Sequence, residues 1–450
     1  MSGTPVVEQI HEQLTSIGTS TIISAAGNRL WRDVTVPVDI TGTATVTIGN
    51  NWQFVNFAGA VYGFQEGEQP ITRGSGNFSD VVAASGSAPT GNCAVVHSGR
   101  IWAAHSDKQT IKYCALLDAT HWATGAGSID MTSVWPQGID EIMALALYNG
   151  QMVVFGKNRI VFFGDGQGSA LGINPNNIYV TDTIVGVGCV ARDSVQQIEG
   201  GDILFLSAQG IQSLSRLIQE KSNPIDNVSK NVRDYLTNLA AGETMSKVRS
   251  VYSPENSFYL LSLPTINKVF CFDTSGKLED GALRVTEWNT SLRAMSRSIS
   301  GTLYTALSTG AGGKIGKYSG YSDNGATYNF DYVSAWLDLG EEASRYIKIL
   351  KSMTCILYIS AVADVLLKWD TDFEGEFDSR SLHLTAPGTS EWGVMEWGVG
   401  EWSGGLALRK FGSPISGNGQ YIRVGCQTSV SGATSLQQLT LFTKIGRLAK

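Results

Sequence analysis

Short apolar runs rich in Val, Ile, Phe, Tyr and Trp recur along the first two-thirds of the chain, each followed by a Gly- or Asn-bearing corner and a second apolar run. Such pairs read as β-hairpins, because the corner residues tolerate the positive φ that a tight connection demands. They fall at Ile22–Trp31 around Gly27, Phe54–Phe64 around Gly59, Ala94–Ala104 around Gly99 and Ala144–Phe155 around Gly150. Three more follow at Val195–Leu206 around Gly201, Val251–Leu261 around Asn256 and Ala294–Leu307 around Gly301. Successive corners are 32, 40, 51, 51, 55 and 45 residues apart. Several hairpins continue into a third strand, at Thr110–Cys114, Arg159–Phe163, Gly210–Leu214, Lys268–Phe272 and Lys314–Tyr318. A unit of roughly 40–50 residues repeated six or seven times predicts a β-propeller of six or seven blades. One blade cannot bury both faces, whereas a closed ring of blades can. A series of stacked β-sandwiches is the rival; the shared period and the lack of long crossovers favour the propeller.

Helical periodicity interrupts this pattern twice. Asn223 suits an N-cap, Pro224 the first helical position and Asp226 the positive end of the dipole. Ile225, Val228, Val232, Leu236 and Leu239 then form one apolar stripe, with Gly242 as the stop, which predicts a short amphipathic helix over Asn223–Leu239. A weaker pattern places Ile10 and Leu14 on one face of a helix over Val6–Ile17, ended by Gly18. Beyond residue 330 the corner period is lost, although Tyr346–Ile359, Val362–Trp369, Tyr421–Cys426 and Leu436–Phe442 remain strand-like. The expected organisation is mainly β: an N-terminal arm (1–20), a propeller (21–330) and a C-terminal antiparallel, β-sandwich-like domain (331–450).

Composition adds to this picture. Only 16% of the 450 residues are charged, against about 25% in ordinary soluble domains. So sparse a charge suits a particle component whose surface is covered by assembly. The net charge of −7 argues against tight static binding of nucleic acid, which needs clustered Lys and Arg. It leaves room for a wall past which DNA slides. The imbalance is local: residues 360–405 hold nine acids against Lys368 and Arg380, while 406–450 hold six bases and no acid. These stretches could pair within a subunit, pair between neighbours, or form ordinary solvated faces. The six cysteines are scattered without CxxC spacing, so neither a zinc site nor a redox motif is indicated. Cys271, in the apolar run Val269–Phe272, reads as a buried free thiol. No secretion signal opens the chain and no apolar run approaches a membrane span.

The chemistry-bearing motifs are few. The phosphate loop GxxxxGK[ST], HExxH and GxSxG are absent from the sequence. None of the five histidines has metal-pair spacing; His97 and His105 flank one hairpin and read as a structural pair. Asp370, Asp372, Glu374, Glu376 and Asp378 resemble the first half of a calcium loop, but Ser381 stands where the bidentate carboxylate belongs. Strand alternation instead puts these five acids on one face, where they repel unless a cation, a basic neighbour or water relieves them. They are therefore candidates for a channel-facing edge and, more weakly, for a metal site. Asp323–Tyr328 looks like the Asp box of sialidase propellers, a hairpin staple. A tandem repeat presents Trp392, Trp397 and Trp402 as anchors at a subunit contact, with sugar recognition as the other reading. No catalytic residue and no cofactor is assigned.

Several of these segments carry a family resemblance. Ser98–Ala103, the step Ile139–Ile142, Leu147–Gly156 and Arg159–Phe163 together are similar to the packaged-DNA stabilisation proteins, or tail nozzle and tail hub proteins, of short-tailed bacteriophages. The helix at Asn223–Leu239, the segment Trp336–Gly340, the strand Ile347–Ile359 and the basic Thr440–Lys450 also look like that family. The resemblance covers residues 50–450 in pattern more than identity. It implies a structural virion protein, made in the bacterial host cytoplasm and placed in the tail. Six copies would form a ring beneath the tail adaptor of the portal complex, with tail fibres or spikes as further neighbours. The ring would seal the DNA exit channel and pass the genome, without sequence-specific binding, on infection. A carbohydrate-active or glycan-binding propeller at the tail tip is the alternative.

Overall fold

The corners named above are where the chain turns. Gly27, Gly59, Gly99, Gly150, Gly201 and Gly301 all have positive φ, and each separates two antiparallel strands. The corner expected at Asn256 is displaced by one residue: Ser257 takes the positive φ. The computed structural model describes residues 5–15, 18–49, 51–164, 177–219, 228–307, 314–323, 325–340, 343–360, 363–384 and 407–448. The chain divides into two units, Met1–Tyr318 and Ser319–Lys450, against an expected boundary at 330/331.

The described residues of the first unit form seven small antiparallel sheets, spanning 7–39, 53–80, 94–130, 142–185, 196–213, 249–288 and 292–317. Each has three or four strands, which lie side by side in sequence order. The strands are rich in apolar residues on both faces because each sheet packs between two others. Ile23 and Leu30 of the first sheet meet Trp52 and Phe78 near the second. Phe64 of the second meets Ile101 of the third, and Trp102 of the third meets Val154 of the fourth. Phe155 packs with Phe205 of the fifth, Leu206 with Phe272 of the sixth, and Leu260 with Leu303 of the seventh. Val7, Ile10 and Trp31 of the first sheet then pack with Ala294 and Ala306 of the seventh, so the order of contacts is cyclic. Each fully buried large apolar side chain contributes about 1.5–3 kcal/mol.

Val7–Leu14, expected as a helix in an N-terminal arm, is instead the first strand, pairing Ile10 with Ser24 and Leu14 with Ser20. An irregularity in register between Val7 and Gln9 leaves Val7 and Ile10 both buried, while Ile10 and Leu14, whose i, i+4 spacing suggested a helix, also share a strand face. The helical segment after the fifth sheet begins later than expected. Residues 223–227 lie outside the described residues, Lys230–Val232 is a 3₁₀ turn, and Arg233–Ala241 is the α-helix. Leu236 and Val228 are buried on it and beside it, and Gly242 ends it with right-handed rather than left-handed φ. Leu214–Gln219, whose first residue was read as strand, forms a second short helix.

The second unit contains two antiparallel sheets. One has the order Tyr328–Val333, Ile422–Val430, Ala363–Thr371, Asp378–Leu384. In the other, Tyr346–Ile359 is central, flanked on one side by Ala407–Pro414 and Asn418–Gly419 and on the other by Thr434–Leu448. Met353, Cys355 and Leu357 of the second sheet share a core with Val365, Leu367, Val424 and Cys426 of the first. Cys355 Sγ lies 3.8 Å from Cys426 Sγ.

Candidate functional site

The first strands of the sheets in the first unit line a cavity of about 890 Å³, bordered by Gln9, His11, Phe54, Leu145, Arg192, Asp193 and Arg249 among others. Arg192, Asp193 and Arg249 in its wall bind one another and neighbouring backbone. Arg192, in a 3₁₀ turn ahead of the fifth sheet, donates to the carbonyls of Asn51 and Trp52 at 3.1 and 2.7 Å and to that of Asn92. It also donates to both Asp193 oxygens, at 2.9 and 2.6 Å. One guanidinium thus joins the lead-in to the fifth sheet to those of the second and third. Asp193 also pairs with Arg249 at 3.0 Å, and Arg293 of the seventh sheet pairs with Glu8 of the first.

The electrostatics follow from burial. Burial alone would raise the Asp193 carboxyl, but Arg192 and Arg249 outweigh it and hold it below the usual carboxylate range. Burial pulls the Arg249 guanidinium down to about 10, against the attraction of Asp193. His11 stacks on Phe54 with ring centroids 5.8 Å apart. Burial lowers its pKa to about 4, opposed by a hydrogen bond with Asn56 and by Glu12, so the ring is neutral at pH 7. This arrangement clasps segments distant in sequence. Asp193 and Glu8, each bound to arginine, are committed to that clasp. Sequence reasoning missed it: Glu8, Arg249 and Arg293 stand in strands that carry other polar residues, such as Gln9, Ser250 and Ser296, so no local pattern marks them.

The acidic stretch does not lie on one strand face. Its first residue, Asp370, is the penultimate residue of the strand Ala363–Thr371, and Asp378 begins the next strand, so Asp372, Glu374 and Glu376 occupy the connecting turn. The cause is backbone geometry: Asp372, Phe373 and Gly375 all have positive φ, which breaks alternation. Asp370 is buried and pairs with Arg423 at 2.8 Å, which removes it from any channel-facing edge. The Arg423 guanidinium lies between the rings of Trp336 (4.7 Å) and Phe377 (4.4 Å). Asp372 Oδ1 accepts the backbone N–H of Gln420 at 2.6 Å and of Tyr421 at 2.9 Å. Glu374, Glu376 and Asp378 are exposed. Among the described residues no group of three or more His, Cys, Asp or Glu side chains is gathered to hold a metal ion.

The remaining candidates are scattered. Trp392, Trp397 and Trp402 lie outside the described residues. His97 and His105 do not pair: His97 contacts Ser98, and His105 Nδ1 accepts the N–H of Thr90 at 3.2 Å. Cys271 is half-buried rather than buried, with burial pushing its thiol up to about 11. Asp323 and Ala326 exchange two backbone hydrogen bonds, 2.8 and 2.9 Å, across the turn at Gly325.

No family description and no curated protein matches this chain. Among solved structures it is similar to a computationally designed protein, Ika8, at 10% identity over 70% of this chain and 96% of that one, with a TM-score of 0.37. PorZ, an essential bacterial surface component of the type-IX secretion system of Porphyromonas gingivalis, matches at 10% identity over 68% of this chain and 36% of its own, TM-score 0.38. The CNH domain of AfRom2 matches at 10% identity over 56% and 76%, TM-score 0.35. At such scores these likenesses carry no argument about this chain.

Proposed function

We propose that this chain is a structural virion protein, a tail nozzle built on a seven-bladed β-propeller, with a scaffolding rather than a catalytic role. The observation that carries the propeller is the cyclic order of packing, in which the first sheet buries Val7 and Ile10 with Ala294 and Ala306 of the seventh. Seven meander sheets packed in that order bury both faces of each blade, as closure requires. Arg192 contacts Asn51, Trp52 and Asn92 from the lead-in to the fifth blade, and so reaches over the propeller axis. On this reading the middle of each propeller is obstructed, and DNA would travel through a wider channel formed by several copies. The nozzle reading itself rests on the sequence resemblance over residues 50–450, supported by the low charge content.

The test is particle composition and genome retention. Antibody-gold labelling of purified particles should mark the tail end, and particles assembled without the chain should lose packaged DNA. A chain that is absent from particles, or that hydrolyses or binds glycans in an array assay, would contradict the nozzle and favour the carbohydrate reading.

A further inference from the structure

We infer that the second unit carries both halves of a contact between copies: an acidic, aromatic-tipped turn on one copy and a basic, apolar sheet face on the next. The inference rests on the oligomeric part of the nozzle reading and names the surfaces that join the copies.

The sheet face comes first. In the sheet built on Tyr346–Ile359, the inward residues Met353, Cys355 and Leu357 are buried. Alternation turns Ile356 and Tyr358 outward, and the register sets Lys410 and Leu408 beside them. On the other flank Lys444 stands opposite Ile349, and Phe442 opposite Ser352. Leu408 is 57% and Phe442 51% exposed, an apolar content unusual for a face left in water. The strands Tyr346–Ile359, Ala407–Pro414 and Thr434–Leu448 contain six Lys and Arg and no Asp or Glu. Thr434–Leu448 is also a 15-residue edge strand that pairs only with Tyr346–Ile359 among the described residues, the type of edge that proteins cover.

The turn is its chemical complement. Residues 372–378 hold four acids and no base. At its tip Phe373 adopts a φ of 63° directly after Asp372 at 50°, a conformation a bulky side chain rarely takes without a functional reason. Phe373 rests on Trp336 (4.3 Å) and Tyr421 (5.3 Å), yet 60% of it remains exposed. The Asp372 carboxylate fixes the turn through the N–H groups of Gln420 and Tyr421. The result is a pre-ordered knob, an exposed ring flanked by Glu374 and Glu376. Neither glutamate, nor Lys410 or Lys444, has an ion pair within the described residues. An aromatic anchor surrounded by complementary charge is how protein contacts concentrate affinity. Duplex DNA would satisfy the lysines but leave Phe442 and Leu408 against phosphate, so a second copy is the better occupant. Where the knob of each copy meets the face of the next rather than reciprocally within one pair, the contact is heterologous and extends into a ring or a filament.

Charge reversal tests this in the full chain. Light scattering and native mass spectrometry should find the wild-type chain oligomeric, and E374K/E376K and K410E/K444E each associating at least tenfold more weakly. Mixing the two variants should restore assembly, because each knob then meets an opposite face; rescue on mixing also excludes misfolding as the cause. If the wild type assembles and both variants assemble equally well, this contact is wrong while the ring reading stands. A wild-type chain monomeric at every concentration overturns both. Salt-sensitive binding to duplex DNA that K410E/K444E abolishes, with oligomeric mass unchanged, would assign the face to nucleic acid and overturn the inference.

Discussion

The two units solve the same problem, burying a β-rich chain, in opposite ways. In the first, every sheet is a meander whose neighbours are consecutive in sequence, and the packing of 7–14 against 292–306 closes the cycle. In the second, the strand at 328–333 pairs with the strand at 422–430, and 346–359 with 434–448. Strand pairing in the first unit is local; in the second it is mostly non-local, with 363–371 and 378–384 as a local hairpin among distant pairs. A cyclic stack depends on every interface, so damage to one sheet should be felt around the unit. The two-sheet unit depends instead on one shared core.

The largest expected effects come from breaking that cycle. Phe155 is fully buried and packs edge-on against Phe205 with centroids 5.0 Å apart. Phe155→Ala should cost about 3–5 kcal/mol, lowering the first unit's denaturation transition and leaving the second unit's unchanged. Met353→Ala, in the core of the other unit, should do the reverse at about 2–5 kcal/mol. A common shift of both transitions would show that the units are not energetically separate.

Removing the arginine clasp should come next. Arg192→Met strips the donor from the carbonyls of Asn51, Trp52 and Asn92 and from Asp193. The expected loss is about 3 kcal/mol, the low end for breaking a buried ion pair, since Asp193 keeps Arg249. Chemical denaturation of the full chain, followed at the first unit's transition, checks it.

Acid should act on the first unit through His11. Its pKa is about 4 in the folded chain and 6.5 in the reference state. The unfolded chain therefore binds the proton first, and stability falls as pH drops from 6.5 to 4, where the loss is complete. The effect is at most about 3 kcal/mol, because the ring keeps some contact with water. His11→Asn should flatten this part of the pH profile; an unchanged slope would assign it to other groups.

A smaller effect is expected at the corners. Gly27 has a φ of 63°, and an added Cβ would lie 3.2 Å from Pro5 Cβ. Gly27→Ala should cost about 1 kcal/mol, measurable as a shift in the urea midpoint.

This contrast also explains what could be read from the chain beforehand. Hairpins at Gly27, Gly59, Gly99 and Gly150 were legible because a tight corner and two flanking strands are local chemistry. The first strand was misread because Ile10 and Leu14, four residues apart, share one face of a helix and equally one face of a strand. Strand order in the second unit was illegible, since no local signal tells 328–333 that its partner is nearly a hundred residues away. The acids at 370–378 were read as a continuing strand because nothing in the sequence marks Asp372 and Phe373 as left-handed. Arg192 was missed because the carbonyls it clasps lie 100 to 141 residues away.

A reconstruction of the purified full-length chain by electron cryo-microscopy tests the central claim most directly. Seven blades about one axis should be seen, with strand 7–14 seated on the seventh, Arg192 across the middle, and several such propellers around a wider open channel. A first strand detached from the seventh sheet, or an open row of sheets in a lone protomer, would contradict it.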